Sequence, residues 1–403
     1  MIRVLQSIGT LGYTGIAAAV MNYYRHIDRA QVQFDFVTCS PTEERFDKEV
    51  LSLGGRIFRV PSRSRHPFAY FRALKKIIRQ ENYDVVHVHR DSASMAVDAS
   101  AAKRCGVPVI IGHSHSTGSD VPWQHYLLRP FVNHLVTDRL ACSAEAGQWV
   151  FGKKKTVQIV RNAIDPEEFY FRPDVRASYR AALGIEESHC IGFVGRLSQG
   201  KNVLRLLDIF ALVAQKEPKA VLLLIGRGSM HDQIKERAEA YGISDKVLLL
   251  GQRNDVGSLM SAMDVFAFPS LFEGLGIVAI EAQTAGLRCV LSTAVPAPNF
   301  SGLAEYIELQ AENEEWAEKM LPSSAEDREA VRSLFPDSGY DIKKEAQTML
   351  QYYVNCQERA WEKRKNHKEN TEVLTVLHAL FSSFPWFQKF LTLLLLFLYC
   401  WGG

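Results

Sequence analysis

The segment Pro269–Ala282 carries two glutamates eight positions apart, Glu273 and Glu281, with Gly274 and Gly276 just after the first. It follows the apolar run Val265–Phe268 and opens a helical pattern that ends near Gly286. Glu273 then falls in the loop and Glu281 on the second helical turn. Glycines let a backbone approach a ligand closely. The unpaired amides of a helix start form a ready anion site. A carboxylate beside such an amide cluster suits a ligand with hydroxyls at one end and phosphates at the other, the layout of a nucleotide sugar. Two further loops carry reactive or charged groups after apolar runs: Gly195–Asn202 holds Arg196 and Lys201, and Gly112–Ser116 holds His113 and His115.

These loops need a frame to position them. Apolar, β-branched runs predict strands over Arg3–Ile8, Phe34–Thr38, Arg56–Val60, Val85–His89, Val107–Ile111 and Arg139–Ser143. The rhythm restarts after Asn162–Pro166, with strands over Cys190–Val194, Val221–Ile225, Val247–Leu250, Val265–Phe268 and Arg288–Ser292. Between them lie amphipathic helical patterns such as Pro67–Gln80 and Val203–Ala214, whose apolar stripes are core packing. Strands alternating with such helices imply parallel β-α-β units, covered by helices on both faces. The sequence therefore predicts an α/β chain of two doubly wound domains joined near residues 160–170. Ligands bind such sheets beyond the carboxyl ends of the strands, so the site is expected in a cleft between the two domains. His87 and His89 are read as alternating along their strand, one to each side, with packing as their role.

Glu273 and Glu281 match the E-x7-E motif of family 4 retaining glycosyltransferases, and the match is extended by two more segments. Gly195–Asn202 is similar to the family's G-R-L-x-x-x-K-N loop, and Asn162–Asp165 resembles the N-G-[IV]-D segment that enters the donor domain. Three motifs in the right order, over roughly residues 1–352, resemble most closely the exopolysaccharide and capsule synthesis branch. The resemblance implies the GT-B fold, two Rossmann-like domains facing across a cleft. It implies that Arg196 and Lys201, with Gly195, bind the donor diphosphate and stabilise the charge that grows on it as the sugar leaves. Glu273 would hold donor sugar hydroxyls together with the amides of Gly274, Leu275, Gly276 and Ile277, while Glu281 would grip the ribose. Arg253, in Gln252–Asp255, and the loop Gly226–Gly228 would line the base pocket. His115, with His113 as the alternate, would contact the donor sugar near the reacting carbon. No metal and no cofactor is implied, since cations and helix amides do that work. One departure stands out: the family's G-G-x-E near the first helix is here Thr14–Ala17, so one glycine and the acid are absent, leaving Gly15 to shape the turn.

The totals agree with a two-domain enzyme. The chain has 403 residues, 47% of them hydrophobic, and a formal net charge of +2, which argues against a nucleic-acid partner. Seven scattered cysteines without a C-x-x-C pair predict neither a zinc site nor a disulfide framework. The first residues run straight into a strand and lack a secretory signal, so the main body is expected in the cytoplasm. The expected divisions are an acceptor-side domain over 1–165, a donor domain over 166–335, a crossover helix over 336–356 and a tail over 357–403. That tail is basic over Gln357–Lys368 and apolar from Val373 to Trp401, interrupted by Pro385 and Lys389. A spanning helix wants about twenty apolar residues, and a central Lys costs about +2.5 to +3.5 kcal/mol. The tail is thus expected to lie on the inner face of the plasma membrane, its basic part drawn to anionic lipid. The expected partners are a nucleotide-sugar donor and a glycan or polyprenyl-linked acceptor. Rival readings are a GT-B epimerase or phosphorylase, and a catalytically silent membrane-bound subunit of polysaccharide assembly.

Overall fold

A computed structural model describes residues 1–119, 121–323 and 327–381, with side chains through residue 365. The first seven strands are β1 Ile2–Ser7, β2 Val32–Thr38, β3 Ile57–Arg59, β4 Val85–Arg90, β5 Val109–Ser114, β6 Asp138–Ala141 and β7 Gln158–Ile159. They form one parallel sheet in the order β3-β2-β1-β4-β5-β6-β7. Six more strands are β8 His189–Val194, β9 Ala220–Ile225, β10 Val247–Gly251, β11 Val265–Phe268, β12 Arg288–Ser292 and β13 Ala304–Ile307. They form a second parallel sheet in the order β10-β9-β8-β11-β12-β13. Each sheet reverses its winding once, between β1 and β4 and between β8 and β11. Those are the topological switch points where doubly wound sheets bind ligands.

The apolar stripe read from the sequence on Val203–Ala214 is the buried face of the helix Val203–Lys216, which packs Leu206, Leu207, Phe210 and Val213 into the second core. In the first domain the sheet is covered on one side by helices that bury Tyr70, Leu74, Ile78, Met95 and Ala99. The other side is covered by the helix Gly15–His26 and by the start of a long C-terminal helix, Ile342–Phe381. This last helix leaves the second domain and lays Ile342, Ala346, Met349, Tyr353, Cys356 and Ala360 against the first. The two chain crossings lie side by side: Ile164 N–H donates to Tyr340 O at 2.9 Å and Ile342 N–H to Ile164 O at 3.1 Å.

Three details depart from the sequence reading. β7 and β13 were not foreseen, having two and four residues, too few to show a period. β5 starts and ends later than the run Val107–Ile111, which puts His113 inside the strand rather than in the loop after it. The basic segment assigned to a tail from residue 357 is helical up to Phe381. Its Glu, Arg and Lys residues are good helix formers, and no Gly or Pro interrupts them before Pro385. The apolar tract beyond 381 lies outside the described residues. Among the described residues, no helix is long and apolar enough to cross a membrane.

Candidate active site

A cleft of about 1320 Å³ runs between the carboxyl edges of the two sheets. That exceeds the ~300–1,000 Å³ of an ordinary small-molecule pocket and leaves room for two substrates. On the second-domain side, β11 is buried throughout and ends at Phe268, just before Pro269. The loop after it is pinned by Leu271 N–H donating to Gly200 O at 2.9 Å. Two motifs distant in sequence thus become one surface, and Lys201 forms an ion pair with Glu273 at their junction. The Lys201 ammonium also lies over the Phe268 ring, 5.4 Å from its centroid. Gly276, with φ +77°, turns the chain into the helix Ile277–Thr284, so the first amides of that helix open on the cleft.

Arg196 and Arg227 line the same wall and have no ion-pair partner among the described residues. Their loops touch backbone to backbone: Leu197 N–H donates to Arg227 O at 3.0 Å, and a Cβ on Gly226 would lie 1.9 Å from Gly195 O. Glu281 sits deeper. Burial pushes its carboxyl up to about 7, with Glu168 adding repulsion and Arg45 opposing it. Arg253 lines the cleft, but its guanidinium is committed to Asp255 through Nε and Nη2 at 2.8 and 2.6 Å. That pair and Tyr179 hold the Asp255 carboxyl down near 2.

The first domain supplies the opposite wall. Thr14 caps the helix Gly15–His26 by accepting from Ala17 N–H, so Gly15 presents that helix start to the cleft, with no acid in its first turn. Thr117 Oγ1 donates across the cleft to Glu273 O at 2.7 Å, and a Cβ on Gly274 would lie 1.9 Å from His115 O. The loop after β5 therefore rests directly on the Glu273 loop.

The histidines correct the sequence reading. His87 and His89, two residues apart on β4, share one face rather than pointing to opposite sides, because side chains in a strand repeat every two residues. Their rings stack at 4.0 Å, and those of His113 on β5 and His115 just after it stack at the same separation. Of the four, His89 and His115 reach the cleft. His113, the alternate for sugar contact, is buried one ring behind His115 and does not line it. Burial holds all four imidazoles well below their usual range, His115 near 3, so they are neutral at pH 7. Apart from His113, every site residue singled out in the sequence lines the cleft. Sequence reasoning missed Arg227 as a partner of Arg196, the Thr117 contact and the histidine stack. The spacing His-x-His, present twice, was the available signal.

Two family models match the chain, one described as Glycosyltransferase Family 4 over residues 13–168 and one as Glycosyl transferases group 1 over residues 175–321. EpsF of Bacillus subtilis (strain 168), a protein named as a glycosyltransferase, is 32% identical over 369 residues, covering 87% of this chain and 96% of that one. A UDP-Gal:alpha-D-GlcNAc-diphosphoundecaprenol alpha-1,3-galactosyltransferase of Escherichia coli is 27% identical over 235 residues, 55% of this chain and 60% of that one. Among solved structures, HepE of Anabaena in complex with UDP and glucose superposes with a TM-score of 0.67 at 16% identity, over 92% of this chain and 100% of that one. At that identity the likeness shows a shared GT-B fold.

Proposed function

Because this chain belongs to glycosyltransferase family 4, we propose that it moves a hexose-type sugar from a nucleoside diphosphate, UDP before others, to a glycan or polyprenyl-linked acceptor in surface polysaccharide synthesis, with retention at the anomeric carbon. The observation that carries this reading is the junction of the two loops. Lys201, Arg196 and Arg227 gather positive charge beside the open amides of the helix Ile277–Thr284, with the Glu273 carboxylate next to them. The cations and amides take the diphosphate, and Glu273 takes the hydroxyls of the attached sugar. In the reaction the bond from the anomeric carbon to phosphate oxygen breaks and the acceptor oxygen bonds from the same face. The acceptor proton passes to the departing phosphate, so neither a protein nucleophile nor a metal is required. Stabilising the charge on that phosphate is the largest task, and removing one such donor costs roughly 10²–10³ in rate. UDP and a lipid-linked acceptor are favoured because HepE binds UDP and the Escherichia coli relative is named for a diphosphoundecaprenol substrate.

A thermal-shift series with nucleotides and nucleotide sugars tests the reading, since a true donor stabilises the fold by mass action. Among these ligands, UDP-sugars should raise the melting temperature most at equal concentration. Glu273→Gln should weaken the UDP-sugar response and leave that of UDP nearly intact; equal loss of both contradicts the role given to Glu273. The altered loop Thr14–Ala17 favours a second reading, a nucleotide-binding subunit without turnover, and that would show as stabilisation by donor with no transfer to any acceptor.

Membrane contact from the cytoplasmic side is part of the proposal. Beyond the tail, a second surface supports it: the helix Pro122–Leu135 exposes Trp123, Tyr126, Leu127 and Phe131, aromatic and apolar groups of the kind that settle at a lipid interface. Arg129 reaches Gly152 beside this face, and the exposed Lys153–Lys155 follow directly. Sedimentation with anionic vesicles should carry the protein down and release it with salt. Trp123→Ser with Phe131→Ser, or deletion of residues 382–403, should lower the bound fraction; if neither does, the membrane part of the proposal is wrong.

A further inference from the structure

Nothing in the transfer reaction explains why three imidazoles, His87, His89 and His113, are buried in one array against the cleft-lining His115. β4 and β5 are neighbours, and His89 lies opposite His113 in register, so the two His-x-His pairs meet face to face. The rings of His87 and His113 are 5.2 Å apart and nearly parallel, at 13°, and those of His89 and His115 are 5.1 Å apart. One ring nitrogen each from His87, His89 and His113 lies within 4.8 Å of the others. None of the rings' hydrogen-bond partners among the described residues is a carboxylate. The array is therefore an uncharged, nitrogen-only cluster, and His113 Nε2 is buried without any partner.

The outer nitrogens of His87 and His89 are held in the way metal-binding imidazoles are held, while His113 Nε2 has no partner. His87 Nδ1 lies 2.7 Å from Tyr353 Oη, His89 Nε2 lies 2.8 Å from Gln6 Oε1, and Gln6 Nε2 donates to Tyr353 Oη at 3.1 Å. Such partners fix tautomer and ring orientation and leave the inner nitrogens to a metal. The inner pair, His87 Nε2 and His113 Nδ1, is 3.2 Å apart. Two nitrogens bound to one tetrahedral zinc are separated by about 3.3 Å. With Gln6 Oε1 accepting from His89 Nε2–H, the inner Nδ1 of His89 carries a lone pair, which accepts from His115 Nε2–H at 2.9 Å and which an ion would take in place of that contact. His87 joins as a ligand once its proton is on Nδ1, with Tyr353 Oη accepting it, so no proton has to leave the protein.

We propose that His87, His89 and His113 form a site for one divalent transition-metal ion of the zinc class. Three neutral imidazoles without thiolate or carboxylate suit such an ion and not magnesium or calcium. The site goes beyond the transfer reaction, and no step of that reaction passes through it. An ion here would clamp β4 to β5 and, through Tyr353, the C-terminal helix to the sheet.

The test uses the full chain without an affinity tag, stripped with a chelator and titrated with Zn²⁺ against a chromophoric competitor, and with Co²⁺ followed by visible absorption. One equivalent should bind, Co²⁺ should show the bands of a nitrogen-ligated, low-coordinate ion, and Zn²⁺ should raise the melting temperature. The double variant His87→Ala/His113→Ala should lose the binding while keeping its stabilisation by UDP. Tyr353→Phe should keep the stoichiometry and weaken affinity roughly 10–100-fold. Absence of saturable binding overturns the site, as does wild-type affinity in the double variant. Should the alanine variants fail to fold, the Co²⁺ spectrum of the wild type decides: no nitrogen-ligand bands, no site. The titration reads metal and not transfer, so its failure leaves the transferase reading standing, and the reverse holds as well.

Discussion

Lys201 and Glu273 neutralise each other across the junction of their loops, so donor binding is an exchange of partners rather than the filling of a vacant charge. On the proposed reading, a diphosphate would draw the ammonium away and release the carboxylate to accept from sugar hydroxyls. Glu281 is a different kind of acid. Its carboxyl is pushed up to about 7 by burial first and by Glu168 second. In an unfolded chain it would titrate near ~4.3, so the unfolded state gives up its proton first as pH rises. The folded state is then favoured below the unfolded value and loses that advantage progressively as pH climbs through 7. Without nucleotide, Glu281→Gln should match wild type near pH 4 and be more stable at pH 8, by on the order of 3 kcal/mol. Melting of the second domain at the two pH values checks this. A difference that stays constant with pH contradicts an elevated carboxyl.

Loops and strands decide which of these residues meet. Gly274 is where the two walls touch, and a Cβ there would lie 1.9 Å from His115 O. Gly274→Ala should leave each domain's melting almost unchanged, because the three atoms nearest the methyl all belong to the opposite domain, on His115 and Ser116. Forcing the loops apart by about an ångström can cost about 10²-fold in rate, so transfer should fall by that order. A large loss of stability with normal transfer would contradict the contact. The strands that carry these loops were legible in the sequence because parallel, helix-covered strands are apolar nearly throughout, as in Val265–Phe268. The motif loops were legible for the same reason, each following such a run. The histidine array was not: His87 and His89 were read as facing opposite ways, and β5 was ended before His113. A strand's exact end is set by backbone pairing with its neighbour, here β4 to β5 out to Ser114, and not by the apolarity of its residues. Nor does local pattern reveal that Thr117 reaches Glu273, a contact between residues 156 apart in sequence.

At the scale of the molecule, the C-terminal helix makes the first domain depend on residues that come after the second. Its stripe of Ile342, Ala346, Met349, Tyr353, Cys356 and Ala360 is almost wholly buried on the first sheet. Fully burying a large apolar side chain contributes ~1.5–3 kcal/mol, so Ile342, Met349 and Tyr353 together approach the lower part of a domain's whole stability of ~5–15 kcal/mol. Their removal also opens the Phe34 and Tyr24 rings, which stack beneath them, to water. A chain ending at residue 340 should therefore lose the first domain's melting transition and keep that of the second, which buries its own core. A chain ending at residue 365 should keep both. Calorimetry of the two truncations separates these outcomes, and limited proteolysis should cut the shorter one within residues 1–160 first. The crossings at Ile164 and Tyr340–Ile342 are joined by backbone hydrogen bonds, so the domains are connected through one paired strip rather than two separate linkers. If the shorter chain instead melts in two transitions like the full one, the helix is an accessory to the first domain and not a part of its core.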